Sequence, residues 1–482
     1  MIGLEQFDVL TQVDLADISA DPTTIYKLFN NLWRKEFNNN QRIVFYTADR
    51  PHEELIKHVE RAAQIIDISE YFILICCPFK LSTSLQSMVV DVKESGVIKN
   101  NYKIPDSICP LPWSHLEVDI SGDYKPCCVY SGTTGKSVRD TTINEAFTSD
   151  SMNTLRKEFL LGNQPAGCSH CWRIEEKNLT SNRIMHMNFL QKELFVEYLD
   201  DAKLRSIDIK SGNTCNFTCR ICGPDRSSLI ADEVMRAYPE KTIEIKNMLL
   251  KNKWADSTTS FFIDLENALP DLVNINMVGG EPFLVKQFDR ILELAVEHGY
   301  SQQIRLHYNS NGSIFPNKQV AVWSKFRQID LALSIDNIGD RFELERGGAW
   351  VKVESNIKQF LKLDLPNLNI YIMPTVNIQN VYYIPELLEW ATPLGLKVVF
   401  NYLDYPPEFN INYLTKDCKR LVVEKYKKYT HTELAAIAKR VEECEGSDGS
   451  MFVNKMSRFD TLRGQSFKET HPEVAKAMGY SI

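Results

Sequence analysis

The sequence predicts an α/β protein built on a parallel sheet, with a small α/β region before it and a helical region after it. Three observations carry this reading. Apolar, β-rich runs recur at 204–210, 273–278, 304–309, 329–335, 368–376 and 396–402. Helix-like segments separate them at 226–237, 284–298, 317–326, 350–363 and 384–392. Beyond residue 403 the pattern is mostly helical. Strands alternating with helices make βαβ units, which pair in parallel.

The 482 residues are enough chain for several domains and a sizeable core. Residues 1–104 read as a small α/β region, with strands near 42–46 and 71–76 around a helix at 53–66 and no phosphate-binding loop. A cysteine-bearing module follows at 105–200, then the βαβ core at 201–405 and the helical region at 406–482. The first crossover of the core carries extra chain, 239–271, which reads as one or two added helices. The basic run at 416–428 reads as a solvated helix face.

Composition narrows the class. A net charge of −8 gives no electrostatic case for nucleic acid or an anionic membrane as partner. The first residues lack a basic stretch followed by an apolar one, so no secretory signal is expected. The longest apolar run, 71–79, is too short to span a bilayer. Twelve cysteines in such a chain point to thiolate ligands in a reducing compartment, the cytoplasm, rather than to disulfides.

The most specific feature is a loop behind the first core strand, with Cys215, Cys219 and Cys222 in Cys-x3-Cys-x2-Cys spacing. One disulfide would leave a cysteine over, and structural zinc takes four ligands. Three thiolates can hold three irons of a [4Fe–4S] cube and leave the fourth iron open to bind and reduce a ligand.

This spacing resembles the signature of the radical S-adenosylmethionine (SAM) enzymes, and further segments match in order. Gly279-Gly280-Glu281-Pro282 ends the second core strand, Ser310-Asn-Gly312 the third and Ser334-Ile-Asp336 the fourth, with Arg346 ten residues on. The resemblance implies a partial (β/α)6 barrel. It implies that Gly279, Gly280 and Glu281 hold the methionine amino group of SAM. Ser310, Ser334 and Arg346 would hold its ribose and carboxylate, with Asp336 beside them. Ile221 would pack on the adenine, where the family usually has an aromatic residue.

Helices cover the outside of such a barrel, so the outward face of each strand must be apolar. That turns Asp208, Lys210, Asn274, Asn276, Arg305, His307, Asn309, Asp330, Tyr371, Met373 and Asn401 inward. Some of these must satisfy each other across strands, for example Asp208 or Asp330 with Lys210 or Arg305. Lys210, Asn276, His307, Asn309, Tyr371 and Asn401 are the candidates for contact with a polar substrate, a small molecule or a peptide.

A second cysteine set lies upstream: Cys109, the pair Cys127-Cys128, and Cys168-Ser-His-Cys171. Two separated thiol pairs on turns are what a closed, four-ligand metal site needs. The run from Cys109 to Cys127 resembles the opening of the SPASM module, and the set as a whole its short "twitch" form. Placed before the barrel, it resembles the N-terminal-twitch group. The resemblance implies a second [4Fe–4S] cluster on Cys109, Cys127, Cys168 and Cys171. Structural zinc is the competing reading, and glycine spacing favours Cys127 over Cys128.

The activity implied is reductive cleavage of SAM to a 5′-deoxyadenosyl radical, driven by an electron from a flavodoxin- or ferredoxin-type donor. Hydrogen abstraction from a polar substrate follows, with net oxidation through the auxiliary cluster. A peptide-modifying maturase is the alternative among enzymes. An iron–sulfur electron-transfer or SAM-binding protein without turnover is the alternative of another class.

Overall fold

A computed structural model of the chain describes residues 107–176, 180–190 and 202–480, and elsewhere only the backbone of six short strands. Three of these, Asp8–Asp14, Gln41–Thr47 and Phe72–Cys76, pair in parallel in that order. The expected strands at 42–46 and 71–76 are thus present. The helix expected between them lies outside the described residues. The chain divides into two compact units: 1–116 with 129–133 and 148–205, and 117–128 with 134–147 and 206–482.

Within the second unit the main sheet runs Ser206–Lys210, Asn274–Val278, Arg305–Ser310, Gln328–Leu333, Leu368–Ile372 and Lys397–Val398, each parallel to the next. Sequence order equals spatial order, as a partial barrel requires and a doubly wound sheet does not. The hairpin of His115–Val118 and Tyr124–Lys125 extends the sheet beyond Ser206–Lys210.

Side-chain alternation follows period two. Ile207, Ile209, Ile275, Met277, Leu306, Tyr308, Ile329, Leu331 and Leu333 are buried on one face. The crossover helices Ser228–Ala237, Lys286–Glu297, Asn317–Trp323, Trp350–Leu361 and Ile384–Ala391 fall where helices are expected.

Two details differ from the expectation. The runs 368–376 and 396–402 are each split in two. Pro374 has no N–H to give the ladder, so the main sheet stops at Ile372, and Thr375–Val376 pairs instead with Asn401–Tyr402 in a separate two-stranded sheet. The extra chain after the first crossover helix forms three helical pieces, Thr242–Asn252, Trp254–Ser257 and Thr259–Ala268, rather than one or two.

The C-terminal region is helical, with Lys416–Tyr426, Thr432–Glu443 and Ser450–Arg463 as its long helices. Among the described residues no helix is long and apolar enough to cross a membrane.

Candidate cofactor and active site

The cysteine loop follows the first core strand and is stitched at both ends. Ser228 N donates to Asn213 O at 2.8 Å, Asn213 Nδ2 to Pro224 O at 3.1 Å, and Ser227 Oγ to Phe217 O at 2.8 Å. Ser227 also caps the next helix, accepting from Ile230 N.

The three thiols lie within reach of one another. Cys219 is hydrogen-bonded to Cys222, and this bond, with help from Arg346, lowers the Cys219 thiol to about 7 in spite of its burial. The same bond, and burial, raise Cys222. Burial pushes Cys215 up to about 11. Cys219 Sγ also lies 3.5 Å from Arg346 O.

Among the described residues no three His, Cys, Asp or Glu side chains converge as ligands of one metal ion would. A cube takes one thiolate per iron, so its ligands stand around it rather than converging. Three thiols on one loop beside a buried guanidinium fit that donor set.

The glycine motif is sewn to this loop. Glu281 N donates to Thr214 O at 2.9 Å. Gly279 and Gly280 have φ of 88° and 24°, and a Cβ on Gly280 would stand 2.1 Å from Thr214 O. Only glycine allows so close a backbone approach at positive φ.

Glu281 is buried, and its carboxylate accepts from Ser310 Oγ at 2.9 Å, Asn311 N at 2.8 Å and Phe283 N at 3.3 Å. Burial raises it to about 7 against these hydrogen bonds. Asn311 bridges to the cysteine loop, giving Nδ2 to Asn216 Oδ1 at 2.9 Å, with Cys215 Sγ at 4.0 Å.

On the next strand, Ser334 N donates to Ser310 O at 2.8 Å, which sets the two serines side by side at the strand ends. Asp336 is committed to structure: Oδ2 accepts from Arg346 at 2.7 Å and Oδ1 from Thr375 N at 2.7 Å. Burial penalises the Arg346 cation, but Cys219 and Asp336 more than offset this and hold it firmly protonated. Arg346 Nε is buried with no protein partner. Gly347, at φ 70°, ends that helix and sits against Thr218 of the cysteine loop. Ile221 is half-buried.

The polar face of the sheet is largely cross-linked. Asn276 bonds Asp208, and Asn274 bonds both Asn276 and Ser206 at 3.0 Å. Asp330 takes Arg305, Gln328 and Asn369. His307 bonds Asn309 at 3.0 Å, and burial keeps its imidazole below the usual histidine range. Lys210 pairs with the fully buried Glu117 at 2.8 Å. Of the expected cross-strand ion pairs, Arg305 with Asp330 is present, while Lys210 turns to Glu117. Tyr371 is half-buried, and Asn401 is exposed on the separate two-stranded sheet.

The upstream cysteines are divided between the units. In the first, Cys109 and Cys171 are buried, and Cys168 is pushed up to about 12, by burial first. Arg183 sits among them. It donates to Ile108 O at 2.8 Å, lies 5.0 Å over the Trp172 ring, and is within electrostatic reach of Cys168. In the second unit Cys127 is half-buried and Cys128 exposed, and Cys128 is within electrostatic reach of Glu117, Asp208 and Lys210.

The family model of the Radical SAM superfamily matches residues 209–391, and that of the SPASM iron–sulfur cluster-binding domain matches 109–172. Residues 209–391 are a radical SAM domain. This radical SAM protein carries its SPASM domain ahead of the core, and the cofactors that go with the two domains are SAM and [4Fe–4S] clusters.

A search of curated proteins gives no significant match. Solved structures resemble it at low identity. Native anSMEcpe with bound AdoMet and Kp18Cys peptide is 16% identical, with a TM-score of 0.32, over 54% of this chain and 67% of that one. Streptococcus suis SuiB bound to S-adenosylmethionine is 16% identical, with a TM-score of 0.30, over 62% and 61%. TYW1 with a lysine–pyruvate adduct is 14% identical, with a TM-score of 0.27, over 50% and 73%.

Sequence reasoning missed Asn216, Arg220 and Asn311. The signal for Arg220 was available: a charged residue set between two closely spaced cysteines, Cys219 and Cys222, is a charge that will seek a partner.

Proposed function

We propose that this radical SAM enzyme cleaves SAM reductively and oxidises a polar substrate, a small molecule or a peptide, by hydrogen abstraction. The observation that carries the reading is the junction of Cys215, Cys219 and Cys222 with the Gly279–Glu281 turn and the Asp336–Arg346 pair. When bound, the cofactors supply a 5′-deoxyadenosyl radical that takes a hydrogen atom and a second cluster that accepts the remaining electron.

The chain's own residues hold and orient. Cys215, Cys219 and Cys222 would ligate three irons, and Cys109, Cys127, Cys168 and Cys171 the auxiliary cluster. The backbone of Gly279 and Gly280, with Glu281, would receive the SAM ammonium. Glu281 is already aligned for this by Ser310 and Asn311 N. Arg346, held by Asp336, would meet the carboxylate, with Ser310 and Ser334 at the ribose and Ile221 at the adenine. Lys210, Asn276, His307, Asn309, Tyr371 and Asn401 would read the substrate. A site built to match hydroxyls or amides rejects analogues that lack them far better than a greasy pocket rejects a methylene.

Anaerobic reconstitution, then dithionite and SAM, tests the reading. 5′-Deoxyadenosine above a no-enzyme control supports it, and none from protein carrying intact clusters refutes it.

Two further outcomes are expected. Cys168→Ala or Cys171→Ala should lower bound iron and loosen the fold around 105–180, because a closed metal site contributes folding free energy. Iron analysis and limited proteolysis check this, and zinc in anaerobically purified protein would make the site structural. Alanine at His307 or Tyr371 should abolish product while sparing 5′-deoxyadenosine formation. Product at wild-type rate from both variants would remove the polar face from substrate binding.

A further inference from the structure

Arg220 stands between two loop thiols, Cys219 and Cys222, and is fully buried. A guanidinium cut off from water must find its partners in protein, and here they come from two directions. Its backbone N–H donates to Glu345 O at 2.8 Å and its Nε to Leu344 O at 3.2 Å, both on the helix that ends at Arg346. One terminal nitrogen donates to Asp460 Oδ1 at 2.7 Å and Gln465 Oε1 at 2.8 Å.

Asp460 is itself fixed, its Oδ2 accepting from Phe467 N and from the Tyr480 hydroxyl, each at 2.6 Å. A second link runs in parallel: buried His471 meets Glu345 at 2.8 Å, where Asn337 also donates. The C-terminal region therefore grips the residue beside Cys219 and the residue beside Arg346.

We propose that Arg220 is a positioning residue for the SAM-binding cluster, and that Asp460 and the segment behind it belong to that site through it. The proposal rests on the assignment of Cys215, Cys219 and Cys222 to the cluster. Arg220 fixes the loop's shape from behind: its backbone sits between two thiols of the loop while its guanidinium is anchored by Asp460 and Gln465. Charge and hydrogen bonding around a cluster set its potential, and groups that orient ligands tune their affinity.

The test uses full-length protein, reconstituted anaerobically: wild type, Arg220→Gln, Arg220→Lys, Asp460→Asn and the triple cysteine-to-alanine variant. The reduced-state electron paramagnetic resonance signal that wild type has and the triple variant lacks belongs to the core cluster. In Arg220→Gln and Asp460→Asn that cluster should have a shifted midpoint potential and an altered spectrum, and SAM binding should weaken about 10- to 100-fold. The auxiliary signal should stay unchanged. Arg220→Lys, which keeps the ion pair with Asp460 but not the fork that also reaches Leu344 O and Gln465, should recover the spectrum and the SAM affinity only in part.

Wild-type potential, spectrum and SAM affinity in both Arg220→Gln and Asp460→Asn would overturn the proposal. Collapse of the fold in both would overturn it too, making the pair a general core contact. Absence of a core signal in wild type would instead defeat the cluster assignment itself.

Discussion

Replacing Cys215, Cys219 and Cys222 together by alanine is expected to remove one cube of iron, roughly 4 Fe per chain, and all SAM cleavage. The expectation is large because the described carboxylate and amide beside the three thiols are already engaged elsewhere. Asn311 is committed to Asn216, and Glu281 to Ser310 and Asn311 N. Iron and sulfide analysis with a 5′-deoxyadenosine assay reads the outcome. The auxiliary iron should persist, since its cysteines lie at 109–171. SAM cleavage surviving in the triple variant would end the assignment.

Asp336→Ala should be the most damaging single substitution at the proposed SAM pocket. Asp336 is buried and pairs with Arg346, which is almost as buried, and also accepts from Thr375 N. Removing one partner strands the other charge away from water, which costs about 3–5 kcal/mol. The unfolding midpoint in guanidinium chloride should fall accordingly, and SAM affinity should fall with it because Arg346 loses its aim. A variant as stable as wild type would show that Arg346 finds water or another carboxylate, and that the pair is not structural.

Much of this was legible in the sequence, and for identifiable reasons. Ile207 and Ile209 alternating with Asp208 and Lys210 report a strand with one face against helices, because period two leaves no other arrangement. The cysteine spacing resembles a cluster loop, since one disulfide would leave a thiol over and structural zinc takes four ligands. What was not legible depends on long-range contact. Nothing local in Lys210 says that its partner is Glu117, and nothing in 368–376 except Pro374 says that the strand breaks and re-pairs. Arg220 could be flagged as a charge in need of a partner, but Asp460 lies 240 positions away in the region that reads from sequence only as mostly helical.

The Arg220–Asp460–Tyr480 chain of contacts also bears on how the protein is made. Chains emerge N-terminal end first, at about 5–20 residues per second, and domains tend to fold as they appear. Residues 206–391 can pair their strands as soon as they are exposed, yet Arg220 meets its carboxylate only after Asp460 has been synthesised, and that carboxylate is steadied only once Tyr480 follows. During that interval the guanidinium beside Cys219 lacks the carboxylate that holds it. If Arg220 positions the loop as proposed, a chain clipped before Asp460 is expected to load iron at Cys215, Cys219 and Cys222 less well than the full chain.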